Sequence, residues 1–330
     1  MTEDAVVRVL NLRKWFPVKS GLISTLLFKR EAFLRAVDGI SFDVRPKEIL
    51  GLAGESGSGK TTAGRLILRT IDPTAGKIFF KGKNITKLTK NQLKPLRPEM
   101  QMVFQDPYES LNPRMIIKDI IAEGLKVQKI ARSQEQIEEK VTKILEDVKL
   151  VPPEEFMFRY PHELSGGQRQ RVSIARGLVL NPKFIVADEP ISMLDVSIRA
   201  EILNLILELA GKYNVSFLYI THDLATARHI CDRIAIMYLG KIMEIGTADE
   251  IVNEPMHYYT KALIAAVPVP DPKSRRIRST VLGEIPSAIT PPRGCRFHTR
   301  CPVADENCHQ KEPEFIKVSE EHYVACHKAM

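Results

Sequence analysis

Apolar and polar residues trade places through "VVRVLNLRKWF" closely enough to predict an opening β-strand. "SFDVRPKEILGLAG" predicts two more strands, split at Pro46 and Lys47 and ending in a glycine-rich turn. "KIFFKGKNI" and "MQMVFQD" read as further strands. Between Lys118 and Leu150 the period changes: Ile137, Val141, Ile144, Leu145 and Val148 fall at helical spacing, with Glu138, Glu139, Lys140, Lys143, Glu146 and Asp147 on the faces between them. "KFIVADEP" is a nearly continuous apolar strand, followed by a helix around "RAEILNLILELA" and a second buried strand in "SFLYITHD". "RIAIMYLGKIMEIG" predicts a hairpin turning at Gly240.

Strands alternating with helices, the strands rich in β-branched residues, predict an α/β fold with a largely parallel sheet covered on both faces. The helical stretch is long enough to be an inserted subdomain, about 108–175. From Val267 to Arg293 the chain carries Pro268, Pro270, Pro272, Pro286, Pro291 and Pro292, which predicts a linker over the surface and a small module beyond it. The expected division is a main domain over 1–255 and an extension over 256–330.

Composition narrows the class only a little. At 330 residues, 44% hydrophobic and 27% charged, the chain suits a globular protein of one large domain with appendages, or two domains. No apolar run is long enough to span a bilayer. The opening "MTEDAVVRVL" lacks the basic flank and cleavage site of a signal peptide, so a reducing cytoplasm is the expected compartment. The net charge of +8 suits nucleotide phosphates, nucleic acid or lipid headgroups, and equally a solvated basic surface.

"GESGSGKTT" sits where a strand turns into a helix and fits the phosphate-binding pattern G-x-x-x-x-G-K-[ST]. Glycines let backbone N–H groups crowd a β-phosphate, and the helix N-terminus favours its charge. Gly54, Ser56, Gly57, Ser58, Gly59, Lys60, Thr61 and Thr62 are the expected nucleotide-binding residues. Lys60 would reach the β- and γ-phosphates, and the Thr61 hydroxyl would ligate magnesium. Downstream, "FIVADEP" ends a buried strand in two carboxylates: Asp188 fits a magnesium-organising role, and Glu189 could polarise a water against the γ-phosphate. "LSGGQRQRVSIARGL" opens with Ser165 and Gln168 in capping-box spacing. Gly166 and Gly167 each weaken a helix by about 1 kcal/mol, and they leave its N-terminus bare for a second anion.

This ordered set, a phosphate loop, "LSGGQ", "ADEP" and "THD", resembles the ATP-binding subunit of ABC transporters over residues 5 to about 255. The resemblance implies a P-loop ATPase core of mostly parallel sheet, with an antiparallel β-subdomain and an inserted helical subdomain. It also implies a head-to-tail pair of ATPase subunits, in which Ser165, Gly166, Gly167 and Gln168 bind the γ-phosphate on the partner's nucleotide and Asp195 crosses the interface. Gln105 would touch magnesium and face the membrane subunits, His222 would contact the γ-phosphate, and Phe16, with Trp15 second, would stack on adenine.

"FQDPYESLNPRM", "NEPMHYYTKALIAAVPVPDP" and the tail "GCRFHTRCPVADENC…VACH" resemble the dipeptide and oligopeptide importer branch. That branch implies a subunit on the cytoplasmic face of the membrane. Its partners would be a second ATPase, usually a paralogue, two transmembrane permeases and an extracytoplasmic peptide-binding protein, with no nucleic acid. Nickel and oligosaccharide importers share these features, and a soluble ABC ATPase acting on nucleic acid or ribosomes is the alternative from another class.

Four of the five cysteines, Cys295, Cys301, Cys308 and Cys326, are spaced C-x5-C-x6-C-x17-C. A reducing compartment disfavours a disulfide. Zinc commonly uses tighter knuckles, although His298, His309 or His327 could complete a site. Separated cysteines also suit a cubane, with one thiolate on each iron. Members of the importer branch carry an iron–sulfur cluster on this kind of tail, so the resemblance implies a 4Fe–4S cluster on these four, with zinc as the alternative. Cys231 reads as a buried apolar thiol.

Overall fold

The structure, a computed structural model, describes residues 4–18, 32–267 and 283–329. The chain opens with strands β1 (Val7–Val18), β2 (Ala32–Val44) and β3 (Ile49–Ala53), and helix α1 (Lys60–Ile67) follows. Strands β4 (Ala75–Phe80), β5 (Lys83–Asn84) and β6 (Met100–Val103) lead into helices α2 (Ile117–Val127), α3 (Gln134–Asp147) and α4 (Gly166–Leu178). Then come β7 (Phe184–Asp188), α5 (Val196–Tyr213), β8 (Ser216–Thr221), α6 (Leu224–Ile230), β9 (Arg233–Tyr238) and β10 (Lys241–Thr247). Helix α7 (Tyr258–Ala265) and the short strands β11 (Ile316–Lys317) and β12 (Tyr323–Val324) complete the elements that matter here.

Two sheets result. The smaller is antiparallel, in the order β2-β1-β4-β5; the larger runs β11-β12-β10-β9-β3-β8-β7-β6, with β6, β7, β8, β3 and β9 parallel. Strand alternation decides which layer each residue joins. Phe184, Val186, Leu218 and Ile220 face the layer shared with Ala63, Leu66 and Ile67 of α1 and with Val9, Ile40 and Ile78 of the smaller sheet. Ile185, Ala187, Phe217 and Tyr219 face the opposite layer, with Ile121, Val141, Val172 and Ile206 from helices α2 to α5. A strand buried on both faces has no polar alternation to show, which is why "FIVAD" reads as a continuous apolar run.

Lys129 takes a left-handed φ of 55° and Ile130 N closes α2 onto Leu125 O at 3.0 Å, after which Ser133 caps α3 by accepting from Gln136 N at 3.2 Å. The buried stripe of Ile137, Val141, Ile144, Leu145 and Val148 is present as expected. The hairpin of β9 and β10 turns through Leu239 and Gly240, both at positive φ. Pro268, Pro270 and Pro272 of the proposed linker, and residues 19–31 between β1 and β2, lie outside the described residues.

The C-terminal residues extend the large sheet. β12 pairs antiparallel with β10 at Glu244↔Val324 and Ile245↔Tyr323. Glu244, fully buried, accepts from Met256 N at 2.7 Å, His257 N at 3.0 Å and His322 Nε2 at 2.6 Å. A buried carboxylate is tolerated only when its oxygens are satisfied, and here one carboxylate binds three segments of chain together.

Candidate nucleotide-binding site

The parallel strands β3, β7 and β8 end along one edge, and each end delivers part of the site. From β3 the chain turns into α1 through Gly59, whose φ is 106°; a Cβ there would meet Ala36 O at 2.0 Å, so only glycine fits. Lys60 is buried, and its Nζ donates to Gly54 O at 2.7 Å and Glu55 O at 2.9 Å. Burial pushes its pKa down, against the charges of Glu189, Asp188 and Glu55. Next to it, Thr61 Oγ1 donates to Asp188 Oδ1 at 2.9 Å. Burial raises the Asp188 pKa; the Thr61 bond opposes this and the Glu189 charge adds to it.

Glu189 holds a φ of 44°, rare for a side chain of its size, and its amide donates to Ile220 O at 3.0 Å. This strained turn sends the carboxylate towards His222 at the end of β8: Glu189 Oε2 is 3.0 Å from His222 Nδ1 and accepts from Gln105 Nε2 at 3.4 Å. A cavity of about 710 Å³ is lined by Ser56, Gly57, Gly59, Lys60, Thr61 and Thr62 together with Gln105, Glu189 and His222. A buried cation, helix-end N–H groups, paired carboxylates and an imidazole around one such space fit a magnesium-bound polyphosphate. Gly54, Ser58 and Asp188 are not among the lining residues; Asp188 adjoins the wall through Thr61.

Neither Phe16 nor Trp15 lines the cavity. Leu34, the cross-strand partner of Phe16, does, and partners on antiparallel strands share a face, which puts Phe16 on the cavity side. Trp15 is engaged elsewhere: its Nε1 donates to Asp38 Oδ1 at 3.0 Å and Arg35 lies 5.0 Å over its ring.

Ser165 and Gln168 make the expected reciprocal capping box, with Gln168 N donating to Ser165 Oγ at 3.3 Å and Ser165 N to Gln168 Oε1 at 3.0 Å. The two glycines between them differ. A Cβ on Gly166 would make only ordinary contact with Leu194, whereas one on Gly167 would come within 2.8 Å of Ile198 Cγ2. Gly167 thus packs closely against Ile198 of α5, a reason for glycine separate from access for an anion. None of these four residues lines the phosphate cavity, and Asp195 is exposed, as are Met193 and Val196 nearby.

The four tail cysteines are free thiols; Cys295 and Cys308 are buried, Cys301 and Cys326 half-buried. Cys295 N donates to Cys308 O at 2.9 Å. Burial pushes the Cys295 thiol up to about 12, with the charges of Cys326, Cys308 and Cys301 adding to the shift and a backbone hydrogen bond at Phe297 opposing it. Among the described residues no three His, Cys, Asp or Glu side chains gather around one metal-ion position. His298 Nδ1 lies 2.8 Å from Cys295 O and His327 Nε2 3.0 Å from Lys311 O, which commits one ring nitrogen of each to a backbone carbonyl. Cys231 is buried, and that burial holds its thiol far above its ordinary range.

Residues that sequence reasoning did not single out complete the cavity wall: Leu34, Ala36, Glu55, Leu263 and Ala288. Glu55 is held by two others, its N–H donating to Tyr259 Oη at 2.9 Å and its carboxylate accepting from Arg300. Arg300 stands beside Cys301, but no local spacing links it to the phosphate loop.

The ABC transporter family profile matches residues 37–192, and that of the oligopeptide/dipeptide transporter C-terminal region matches 243–308. The chain is 46% identical over 328 residues to the oligopeptide transport ATP-binding protein AppF of Bacillus subtilis (strain 168), covering 98% of each. It is 44% identical to OppF, an oligopeptide transport ATP-binding protein of Haemophilus influenzae, covering 99% of this chain and 98% of that one. Among solved structures, the ATP-binding cassette MJ0796, a dimer in a post-hydrolysis state with ADP and Pi, superposes with a TM-score of 0.64 at 27% identity, covering 73% of this chain and 98% of that one.

Proposed function

Because this chain belongs to the ABC transporter ATP-binding subunits of the oligopeptide/dipeptide importer type, we propose that it hydrolyses ATP to drive peptide import through a membrane permease. The observation that carries the reading is the meeting of Lys60, the Thr61–Asp188 pair and the Gln105–Glu189–His222 cluster around one cavity at the sheet edge.

Lys60 and the N–H groups of the loop hold the β- and γ-phosphates. Lys60 Nζ is already aimed along the loop, so it exchanges two carbonyl acceptors for phosphate oxygens without leaving its burial. Thr61 and Asp188, with Gln105, are the residues to hold magnesium, whose charge would offset that of the phosphate oxygens. Two protein oxygens already in contact suit an ion that takes most of its remaining ligands from water and phosphate. Glu189 accepts a proton from the attacking water, and His222, hydrogen-bonded to it, holds the carboxylate in place and faces the γ-phosphate. Phe16 supports the adenine from the β1–β2 face.

The "LSGGQ" helix end lies outside this cavity, so a second ATPase subunit supplies it, head to tail. The exposed Met193 and Val196 beside Asp195 suit a surface that is covered in that pair. Exposed Phe104 and Tyr108 flank Gln105 and suit contact with two permease subunits. No helix among the described residues is long and apolar enough to cross a membrane, so the chain would sit on the cytoplasmic face through those permeases, with an extracytoplasmic binding protein delivering peptide.

The four tail thiols would carry a 4Fe–4S cluster. The donor set fits in number and kind: all four are free thiols, and a cubane needs one thiolate per iron rather than several on one ion. The cluster would clip a module that has little apolar core of its own.

Purifying the tagged chain from membranes tests these readings together. The expected outcome is co-purification of two multi-span subunits, ATPase activity stimulated by peptide-loaded binding protein, and a brown chromophore lost in Cys301→Ser. Recovery with nucleic acid and without membrane subunits would sink the transport reading. Stimulation by nickel or oligosaccharide alone would overturn the peptide assignment.

A further inference from the structure

Every polar group of Glu55, the residue after Gly54 in the phosphate loop, is engaged. Its amide donates to Tyr259 Oη at 2.9 Å, and its carbonyl accepts from Lys60 Nζ at 2.9 Å. Its carboxylate accepts from Arg300 Nη1 at 2.8 Å and Nη2 at 3.0 Å, a two-pronged pair. Glu55 also lines the phosphate cavity. An unpaired carboxylate there would repel a triphosphate, and the guanidinium both cancels its charge and fixes its direction.

Arg300 is only 8% exposed. It lies 5.7 Å from the Tyr238 ring centre and 5.8 Å from that of Phe297, and both rings pack on Tyr259. The same aromatic group thus seats the guanidinium and supplies the hydroxyl that holds the Glu55 amide. The turn bearing Arg300 is the first segment of the cysteine module: His298 N donates to Cys295 O at 3.1 Å, Arg300 N to Phe297 O at 2.9 Å and Cys301 N to His298 O at 3.3 Å. Arg296 makes a second arm from this turn. Its Nη2 is 2.5 Å from Asp38 Oδ2, and the other oxygen of Asp38 holds Trp15 next to Phe16. One turn between two cysteines therefore grips the phosphate loop through Arg300 and the β1–β2 pair through Arg296.

We propose that Arg300 is a positioning residue for the phosphate-binding loop, through which the cysteine module and nucleotide occupancy are linked. The inference rests on the ATP-site reading above. Linkage is reciprocal: if an ordered Cys295–Cys301 turn favours ATP, then ATP favours an ordered turn.

Two measurements on the full chain test it, each with a fluorescent ATP analogue and magnesium. In the first, Arg300→Ala weakens nucleotide binding by about tenfold, while Arg300→Lys, which keeps the charge but not the fork, falls between. Adding Glu55→Gln to Arg300→Ala recovers most of the loss, because the uncompensated charge is gone; damage that is merely structural would not be recovered this way. In the second, amide hydrogen exchange in the Cys295–Cys301 peptide slows by about fivefold or more when a non-hydrolysable ATP analogue binds the wild-type chain, and the slowing is largely lost in Glu55→Gln. If Arg300→Ala does not fold, the Glu55→Gln exchange result decides, since that residue lies outside the module. A folded Arg300→Ala protein binding within twofold of wild type, or exchange indifferent to nucleotide, would overturn the inference alone. A wild-type chain that binds no nucleotide would overturn the ATP-site reading and this inference with it.

Discussion

Glu189 and His222 meet at 3.0 Å because two adjacent parallel strands end side by side and the backbone of Glu189 is bent into a left-handed turn to aim its carboxylate across the gap. Replacing Glu189 by Gln keeps the shape and removes the base. We expect hydrolysis to fall roughly 100- to 10,000-fold with ATP still bound and the paired state accumulating, checked by single-turnover assay and light scattering. Wild-type hydrolysis by the Glu189→Gln protein would remove the carboxylate from the mechanism.

The Thr61–Asp188 contact makes a second prediction. Thr61→Ala leaves a buried carboxylate oxygen without its donor, at a cost of about 1–3 kcal/mol of stability, and shrinks the gain in ATP affinity on adding magnesium. Thr61→Ser should restore both. Thermal unfolding and nucleotide titrations with and without magnesium read the two effects separately.

Neighbouring glycines should behave differently. Gly167→Ala drives a methyl against Ile198 and is expected to cost about 1–3 kcal/mol, relieved by Ile198→Ala. Gly166→Ala meets only ordinary contact and gains helix propensity, so the melting temperature should hold or rise while ATPase activity of the paired enzyme drops. Equal melting temperatures for the two variants would refute the packing account of Gly167.

His257 makes stability depend on acid. Its ring is fully buried, its Nδ1 accepts from Tyr259 N at 3.0 Å, and burial pulls its pKa down to about 4, with Lys261 adding to the shift and Glu244 opposing it. A base with a depressed folded pKa is protonated more readily when unfolded. The contribution is therefore fully present above about pH 6.5 and is lost as pH falls towards 4, up to roughly 3 kcal/mol. His257→Asn keeps an acceptor for the Tyr259 amide and should flatten the slope of a urea-unfolding series between pH 6.5 and 4. An unchanged slope would contradict the assignment.

Much of this was legible in the sequence because it is local. The continuous apolar run of Phe184–Asp188, the strand–loop–helix setting of Lys60 and the Ser165–Gln168 cap each lie within a few residues of the signal that predicts them. The break at Lys129 was not legible: the turn contains neither Gly nor Pro, and the left-handed residue is a lysine held by the helix end before it. The packing of Gly167 was not legible either, because Ile198 belongs to another helix. The Arg300–Glu55 pair spans 245 positions, and charge pairing at that separation leaves no periodic trace.

β12 covers the outer edge of β10 at Glu244 and Ile245, and Ala325 N donates to Met243 O at 2.8 Å, so the tail satisfies a row of backbone groups along that edge. A chain cut before residue 283 would bare that row and strip Glu244 of His322, turning a finished edge into a template for adding strands from other copies. Deleting the tail would thus yield self-association before any question about ATP could be asked of the product, and single substitutions are the informative way to take the tail apart.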